Sequence, residues 1–189
     1  MRQSHTHNRP PTLHVAEIER VDVGKEGGDQ ADPSSSGRCH YGCAMRDNLD
    51  ELVNVALAHA SAEAADDPVP VLETLETNCV YELQPVGLLI EGQEAARRYY
   101  DYFFTVFRPL VEGYAQRSEW TTDEGLGQEY TIWTRTGPGG TLERHEVIGI
   151  LTFGDTLLSG ERVYASERLL KLMFGPIYDE GRPIEVGSP

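Results

Sequence analysis

Two ionisable residues in the C-terminal half have the character of proton carriers: His145 in "LERHEVIGILTF" and Glu161 in "ERVYAS". Histidine changes charge near neutral pH and is the commonest side chain for moving a proton. His145 shares parity with Val147, Leu151 and Phe153 along an alternating stretch. Glu146, Ile148, Ile150 and Thr152 share the other parity, so both faces are partly apolar and parity alone leaves the side open. Glu161 falls in register with Val163 and Ala165. A glutamate turned into an apolar interior is desolvated, its pKa climbs toward neutrality, and it can take a proton from a carbon beside a carbonyl. The ordinary alternative for His145, Glu146 and Glu161 is a solvated surface position.

Around these carriers the chain is rich in aromatic residues. Tyr81, Tyr99, Phe103, Trp120, Tyr130 and Tyr164 are the candidate ligand contacts, with Tyr100 and Trp133 in the same set. Some of them must pack the core. The others suit a flat or polycyclic ligand, and a tyrosine hydroxyl can hydrogen-bond a carbonyl oxygen. Several chemistries have no footing. There is no glycine-rich phosphate loop, no G-x-S-x-G and no H-E-x-x-H. "CHYGC" at 39–43 lacks the spacing of a zinc pair and a second Cys/His pair to complete one. No metal ligand is expected.

Composition narrows the partners. The net charge is −15, which repels nucleic acid and anionic membrane surfaces, so neither is expected as a partner. The apolar runs are too short to cross a bilayer, and no apolar segment follows Met1. Three cysteines, Cys39, Cys43 and Cys79, without an export signal argue against a disulfide framework and for a reducing, cytoplasmic setting. Arginine far outnumbers lysine, as in a GC-rich bacterial gene; Lys25 and Lys171 are the only lysines.

These residues need elements to position them. Residues 1–45 are rich in Gly, Pro, Ser and His without periodicity and are expected to form a disordered tail. The folded unit is expected over 46–176, with 177–189 as a C-terminal tail. "DNLDELVNVALAHASAEA" carries a helical stripe of Leu49, Leu52, Val53, Ala56, Leu57 and Ala60, with Asp47 as N-cap. "DPVPVLETLE" predicts a short helix with proline in its first turn. "NCVYELQP" alternates as a strand, and "GQEAARRYYDYFFTVFRPL" predicts one helix ended by Pro109. Four alternating stretches follow, "GYAQRSEWTTD", "GQEYTIWTRT", "LERHEVIGILTF" and "ERVYAS", and the last turns directly into "ERLLKLMFG". Ser166 at that joint reads as a helix cap, with Glu167 favourable to the dipole. Helices followed by an antiparallel meander predict an α+β domain with a concave, ligand-sized side.

"EGQEAARRYYDYFFTVF", "EVIGILTF" and "ERVYASERLLKLMFG" together resemble the SnoaL-like branch of the nuclear transport factor two-like superfamily, over most of 47–175. The resemblance implies a cone: a curved antiparallel sheet wrapped around three to four helices, open at one end. It implies a small apolar ligand, in some relatives polycyclic, work without metal or organic cofactor, and a homodimer. The activities it implies are proton transfers, such as isomerisation, dehydration or cyclisation. Non-catalytic ligand binding or assembly is the alternative. Ser166 stands where many relatives carry an aspartate, and a serine is no general base near pH 7. His145 is then the leading carrier, with Glu161 second.

Overall fold

The computed structural model describes residues 46–185 apart from residue 138. The expected tail at 1–45, including "CHYGC", and residues 186–189 lie outside the described residues.

The chain opens on two helices, α1 (Leu49–Ala64) and α2 (Pro68–Glu73). The expected Asp47 cap is not used. Asn48 occupies the cap position without a side-chain bond to the helix, and its amide donates to the Asp155 carbonyl at 2.8 Å. Arg46 likewise donates to the Gly154 carbonyl at 2.7 Å. A distant turn therefore anchors the start of α1. The α2 start is local: the Asp67 carboxylate accepts from the Val69 amide at 3.2 Å, with proline in the first turn.

Two strands follow, β1 (Leu75–Gln84) and β2 (Leu88–Glu91); β2 is too short for its alternation to register in the sequence. The expected third helix is divided. An α-helical part, α3 (Gln93–Tyr102), opens into a π-helical turn at Phe103–Phe107 and a 3₁₀ turn at Arg108–Leu110. The meander is β3 (Val111–Thr122), β4 (Gly125–Arg135), β5 (Leu142–Phe153) and β6 (Leu158–Tyr164). After it come α4 (Glu167–Phe174), a 3₁₀ stretch at Gly175–Glu180 and a two-residue strand, β7 (Arg182–Pro183). The Ser166 hydroxyl accepts from the Leu169 amide at 3.3 Å, so the joint after β6 is a helix cap.

The sheet is curved and unclosed, in the order β3-β4-β5-β6-β1-β2-β7. It is mixed rather than wholly antiparallel, because β6 runs parallel to β1. The inward face is read from strand register: Tyr130 opposes Val147, Ile132 opposes His145, and Leu151 opposes Glu161. Leu52 and Ala56 of α1, Tyr99 and Tyr100 of α3, and Leu169, Leu170 and Phe174 of α4 cover that face. The domain also runs past residue 176. Ile177 and Tyr178 are buried in the core, and β7 pairs with β2, so the segment expected as a tail closes the sheet's far edge. Among the described residues no helix is long and apolar enough to cross a membrane.

The β1–β6 pairing has a steric condition. Gly160 has φ of 140°, and a Cβ there would stand 1.8 Å from the Val80 carbonyl oxygen, which is backbone and cannot swing aside. Gly160→Ala should therefore destabilise the fold by about 2 kcal/mol or more in urea denaturation. A stability equal to wild type would mean that the parallel pair can re-register.

Candidate active site

The curled sheet and its helices leave a cavity of about 350 Å³, inside the usual range of roughly 300–1,000 Å³ for small-molecule sites. The π-helical turn shapes one wall. The extra residue per turn brings Phe103, Phe107 and the following Arg108 to the cavity lining. Tyr99 stands beside them, stacked on Phe174 with ring centroids 4.3 Å apart. From the sheet come Tyr114, Tyr130, Ile132, Leu151 and Glu161.

Glu161 is the centre of this lining. A side chain at Gly149 would collide with it: the Cβ would stand 2.7 Å from Glu161 Oε1 and 3.7 Å from the Tyr130 hydroxyl. The bare position leaves room for the carboxyl and for whatever meets it. Glu161 makes no hydrogen bond to another described residue, and neither do the hydroxyls of Tyr99 and Tyr130. Burial pushes the Glu161 carboxyl up from the ordinary 4.5 to about 8, and the charge of Glu63 adds to the shift. At neutral pH this carboxyl keeps its proton.

Glu63 faces the same cavity from α1. The Tyr100 hydroxyl oxygen is 2.9 Å from its Oε1, and Tyr81 donates to Tyr100 at 3.0 Å. Behind Tyr100 is His59, with only 1% of its surface exposed, its Nε2 3.0 Å from the same hydroxyl. At the cavity's edge Arg108 donates through Nε to Asp66 at 2.8 Å. Asp66 itself holds a left-handed backbone, φ 55°, at the turn between α1 and α2. Among the described residues no three His, Cys, Asp or Glu side chains gather as a metal site.

The candidates from sequence separate cleanly. Glu161, Tyr99, Phe103 and Tyr130 line the cavity. Tyr81 is buried behind it and acts on Tyr100. His145 does point inward but lies further along β5, outside the lining, where its Nε2 is 3.0 Å from the Thr134 hydroxyl. Burial lowers its pKa, with Glu143 opposing and Arg168 adding to the effect. Trp120 and Tyr164 stand on the outer face, 39% and 41% exposed. Trp120 lies over Gly127, and Tyr164 pairs with Ile148. Glu146 is also outside, accepting from Thr131 at 2.9 Å and paired with Arg117 and Arg144. Glu63, His59, Gly149 and Arg108 were not singled out from the sequence. His59 and Glu63 are four apart on α1, and Gly149 interrupts an otherwise bulky strand; those were the available signals.

The raised pKa of Glu161 has a definite sign in stability. The folded state holds this proton more tightly than the unfolded chain does, so the stabilisation is complete below about pH 4.5 and is lost as pH rises to about 8. Glu161→Gln removes the titration. The variant should gain on wild type across that window, by up to about 1.4 kcal/mol per pH unit, and the gap should level off above it. Parallel urea titrations at several pH values measure this, and a gap independent of pH would show a solvated carboxylate.

No family model matches the chain, and no curated protein matches it by sequence. Solved structures do match. A candidate SnoaL-like polyketide cyclase from Jannaschia sp. CCS1 aligns with a TM-score of 0.53 at 13% identity, covering 69% of this chain and 96% of that one. A nuclear transport factor two-like protein of unknown function from Mesorhizobium loti aligns with a TM-score of 0.52 at 14% identity, covering 64% and 95%. Another, from Cytophaga hutchinsonii, gives 0.50 at 8% identity, covering 60% and 98%. With nearly the whole of each of these structures aligned, the chain has the nuclear transport factor two-like fold shared by SnoaL-like proteins.

Proposed function

We propose that the protein binds a small, mainly apolar carbonyl compound in its cone and moves a proton on it, as an isomerase, dehydratase or cyclase would. The observation that carries this is a carboxyl kept protonated by burial on the wall of an open cavity, facing a second carboxylate. Two acids whose surroundings drive their proton affinities apart can act as an acid and a base. In this reading Glu161 gives its proton to the substrate oxygen while Glu63 takes one from the adjacent carbon, producing the enol. Returning the Glu63 proton at another carbon, while Glu161 recovers its own from the enol oxygen, completes an isomerisation; expelling a β-hydroxyl as water, protonated by Glu63 while Glu161 recovers its proton, completes a dehydration. The enol attacking a second carbonyl would close a ring. Tyr99 and Tyr130, with hydroxyls unengaged by other described residues, can hold the substrate oxygen while charge develops on it. Phe103, Phe107 and Leu151 supply the apolar walls.

The expected assembly module remains the second reading, and one observation favours it: Ile148 and Tyr164 are paired and exposed at 38% and 41% on the outer sheet face, where two copies could meet. The two readings are compatible in a dimeric enzyme, but a purely structural module has no use for an open cavity with a protonated acid on its wall.

A thermal-shift panel of steroid, anthraquinone-type and terpenoid carbonyl compounds identifies a ligand. Exchange of its α-hydrogens in D₂O then reports proton transfer. Tryptophan emission is the poorer probe, because neither tryptophan lines the cavity. Glu161→Gln should still bind but lose about 10²- to 10⁴-fold in exchange rate. Wild-type exchange should fall as pH rises through about 8, where Glu161 gives up its proton. His145→Ala should leave the rate unchanged. Loss of exchange in His145→Ala but not in Glu161→Gln would refute the assignment.

A further inference from the structure

Behind the cavity, the donors and acceptors around Tyr100 constrain where protons lie. The chain of contacts begins at Thr74. Its hydroxyl donates to the Val71 carbonyl at 2.6 Å, so its oxygen, 2.6 Å from His59 Nδ1, must accept. Nδ1 therefore carries a hydrogen. The other ring nitrogen, Nε2, is 3.0 Å from the Tyr100 hydroxyl oxygen. That same oxygen is 2.9 Å from Glu63 Oε1 and 3.0 Å from the Tyr81 hydroxyl, which donates to it. Tyr100 has one hydrogen to give and two neighbours, His59 and Glu63, placed to receive it.

If Tyr100 donates to Glu63, the close approach of Nε2 requires a hydrogen on Nε2, and His59 is an imidazolium beside a carboxylate. If Tyr100 donates to His59, the close approach of Glu63 requires a hydrogen on Oε1, and Glu63 is a neutral acid beside a neutral imidazole. In both arrangements Tyr100 donates one bond and accepts two, and every contact is satisfied. Reversing the Tyr81 bond makes matters worse, since both neighbours would then need a hydrogen of their own. The geometry is met with one proton shared between His59 and Glu63, and left unmet with none.

We propose that His59, Tyr100 and Glu63 form a buried relay that stores one proton and delivers it to the cavity end. In the transfer, the Nε2 hydrogen passes to the Tyr100 oxygen as the Tyr100 hydrogen passes to Glu63 Oε1. One N–H and one O–H bond break, two O–H bonds form, and the set keeps its overall charge. The reverse step returns that proton to His59 and leaves Glu63 ionised, the form able to accept a proton from a substrate. His59 and Tyr100 are thus positioning residues, and Glu63 is the member that meets the substrate. Only this last role rests on the proposed function. The groups that bear on the relay are Thr74 after α2, Tyr81 on β1, Tyr99 on α3, Tyr114 on β3, Tyr130 on β4, Glu161 on β6 and, at the cavity edge, Arg108 paired with Asp66. Burial holds the four tyrosines at Tyr81, Tyr99, Tyr100 and Tyr130 well above their ordinary range, so each keeps its hydrogen and none competes as a base.

The test is nuclear magnetic resonance on the full chain with ¹⁵N-labelled histidine and ¹³C-carboxyl-labelled glutamate, without ligand. His59→Gln and Glu63→Gln assign the two signals. The expected wild-type result near neutral pH is a protonated Nδ1, an Nε2 signal at or between the protonated and bare positions, and a Glu63 carboxyl signal displaced in the matching sense. The two signals should report the two ends of one shared proton. Tyr100→Phe, which removes the shared hydroxyl, should uncouple them, and Glu63→Gln should drive Nε2 to the bare position. A bare Nε2 together with a fully ionised Glu63 in the wild type overturns the relay without reference to any variant. So does an unchanged His59 signal in both variants. Because no substrate is involved, a protein that shares the proton but catalyses no exchange would refute the proposed function and leave the relay standing.

Discussion

The parallel pairing of β1 with β6 is the constraint on which the rest of the molecule depends. It joins the helical first half of the chain to the meander of the second half, and its register places Tyr81 beside Glu161 and Leu83 beside Val163. Inward-facing side chains from both halves then share one interior. The backbone can approach this closely because residue 160 has no side chain to meet the Val80 carbonyl. Without that pairing the sheet would split into two pieces, and neither would enclose a cavity.

Enclosure in turn determines the chemistry. A glutamate on a strand is ordinarily solvated and acidic. Glu161 is neither, because the helices that cover the sheet remove water from its carboxyl while Gly149 keeps other side chains away from it. The low-dielectric setting that makes ionising Glu161 costly also strengthens any hydrogen bond it donates to a bound oxygen. On the other side of the cavity the polar groups are satisfied among themselves, through Tyr81, Tyr100, His59 and Thr74. The cavity therefore has one wall of unengaged polar groups and one whose polar groups are already paired, which is an asymmetry suited to holding a substrate oxygen at one side and a proton acceptor at the other.

Burial also explains the fate of the residues that look most reactive. His145 has the expected inward orientation, but its Nε2 is engaged by Thr134 and its position on β5 is two rungs of same-face residues away from Gly149 and the cavity floor. Trp120 and Tyr164 have the right chemistry on the wrong face. A bulge between Gln116 and Ser118 changes the parity of β3 before Trp120 is reached, so alternation from Tyr114 and Gln116, which line the cavity, would place Trp120 on the opposite side.

Local patterns in the sequence were sufficient for the element types, for the meander order, for the exact span of β5 and for the Ser166 cap, because each depends on neighbours within a few residues. The aromatic stripe Ala96, Tyr99, Tyr100, Phe103, Phe107 was legible for the same reason, and so was the candidacy of Glu161. What pairs with what was not. The β1–β6 contact, the short β2, the docking of β7 and the anchoring of α1 by the turn at 154–155 all depend on chain segments far apart in sequence. The division between cavity, core and outer face is likewise decided by register, bulges and the π-helical turn, none of which leaves a periodic trace. Glu63 and His59 resemble any polar pair on a helix until Tyr100 and Thr74 are brought against them, and it is only that approach that gives them a proton to share.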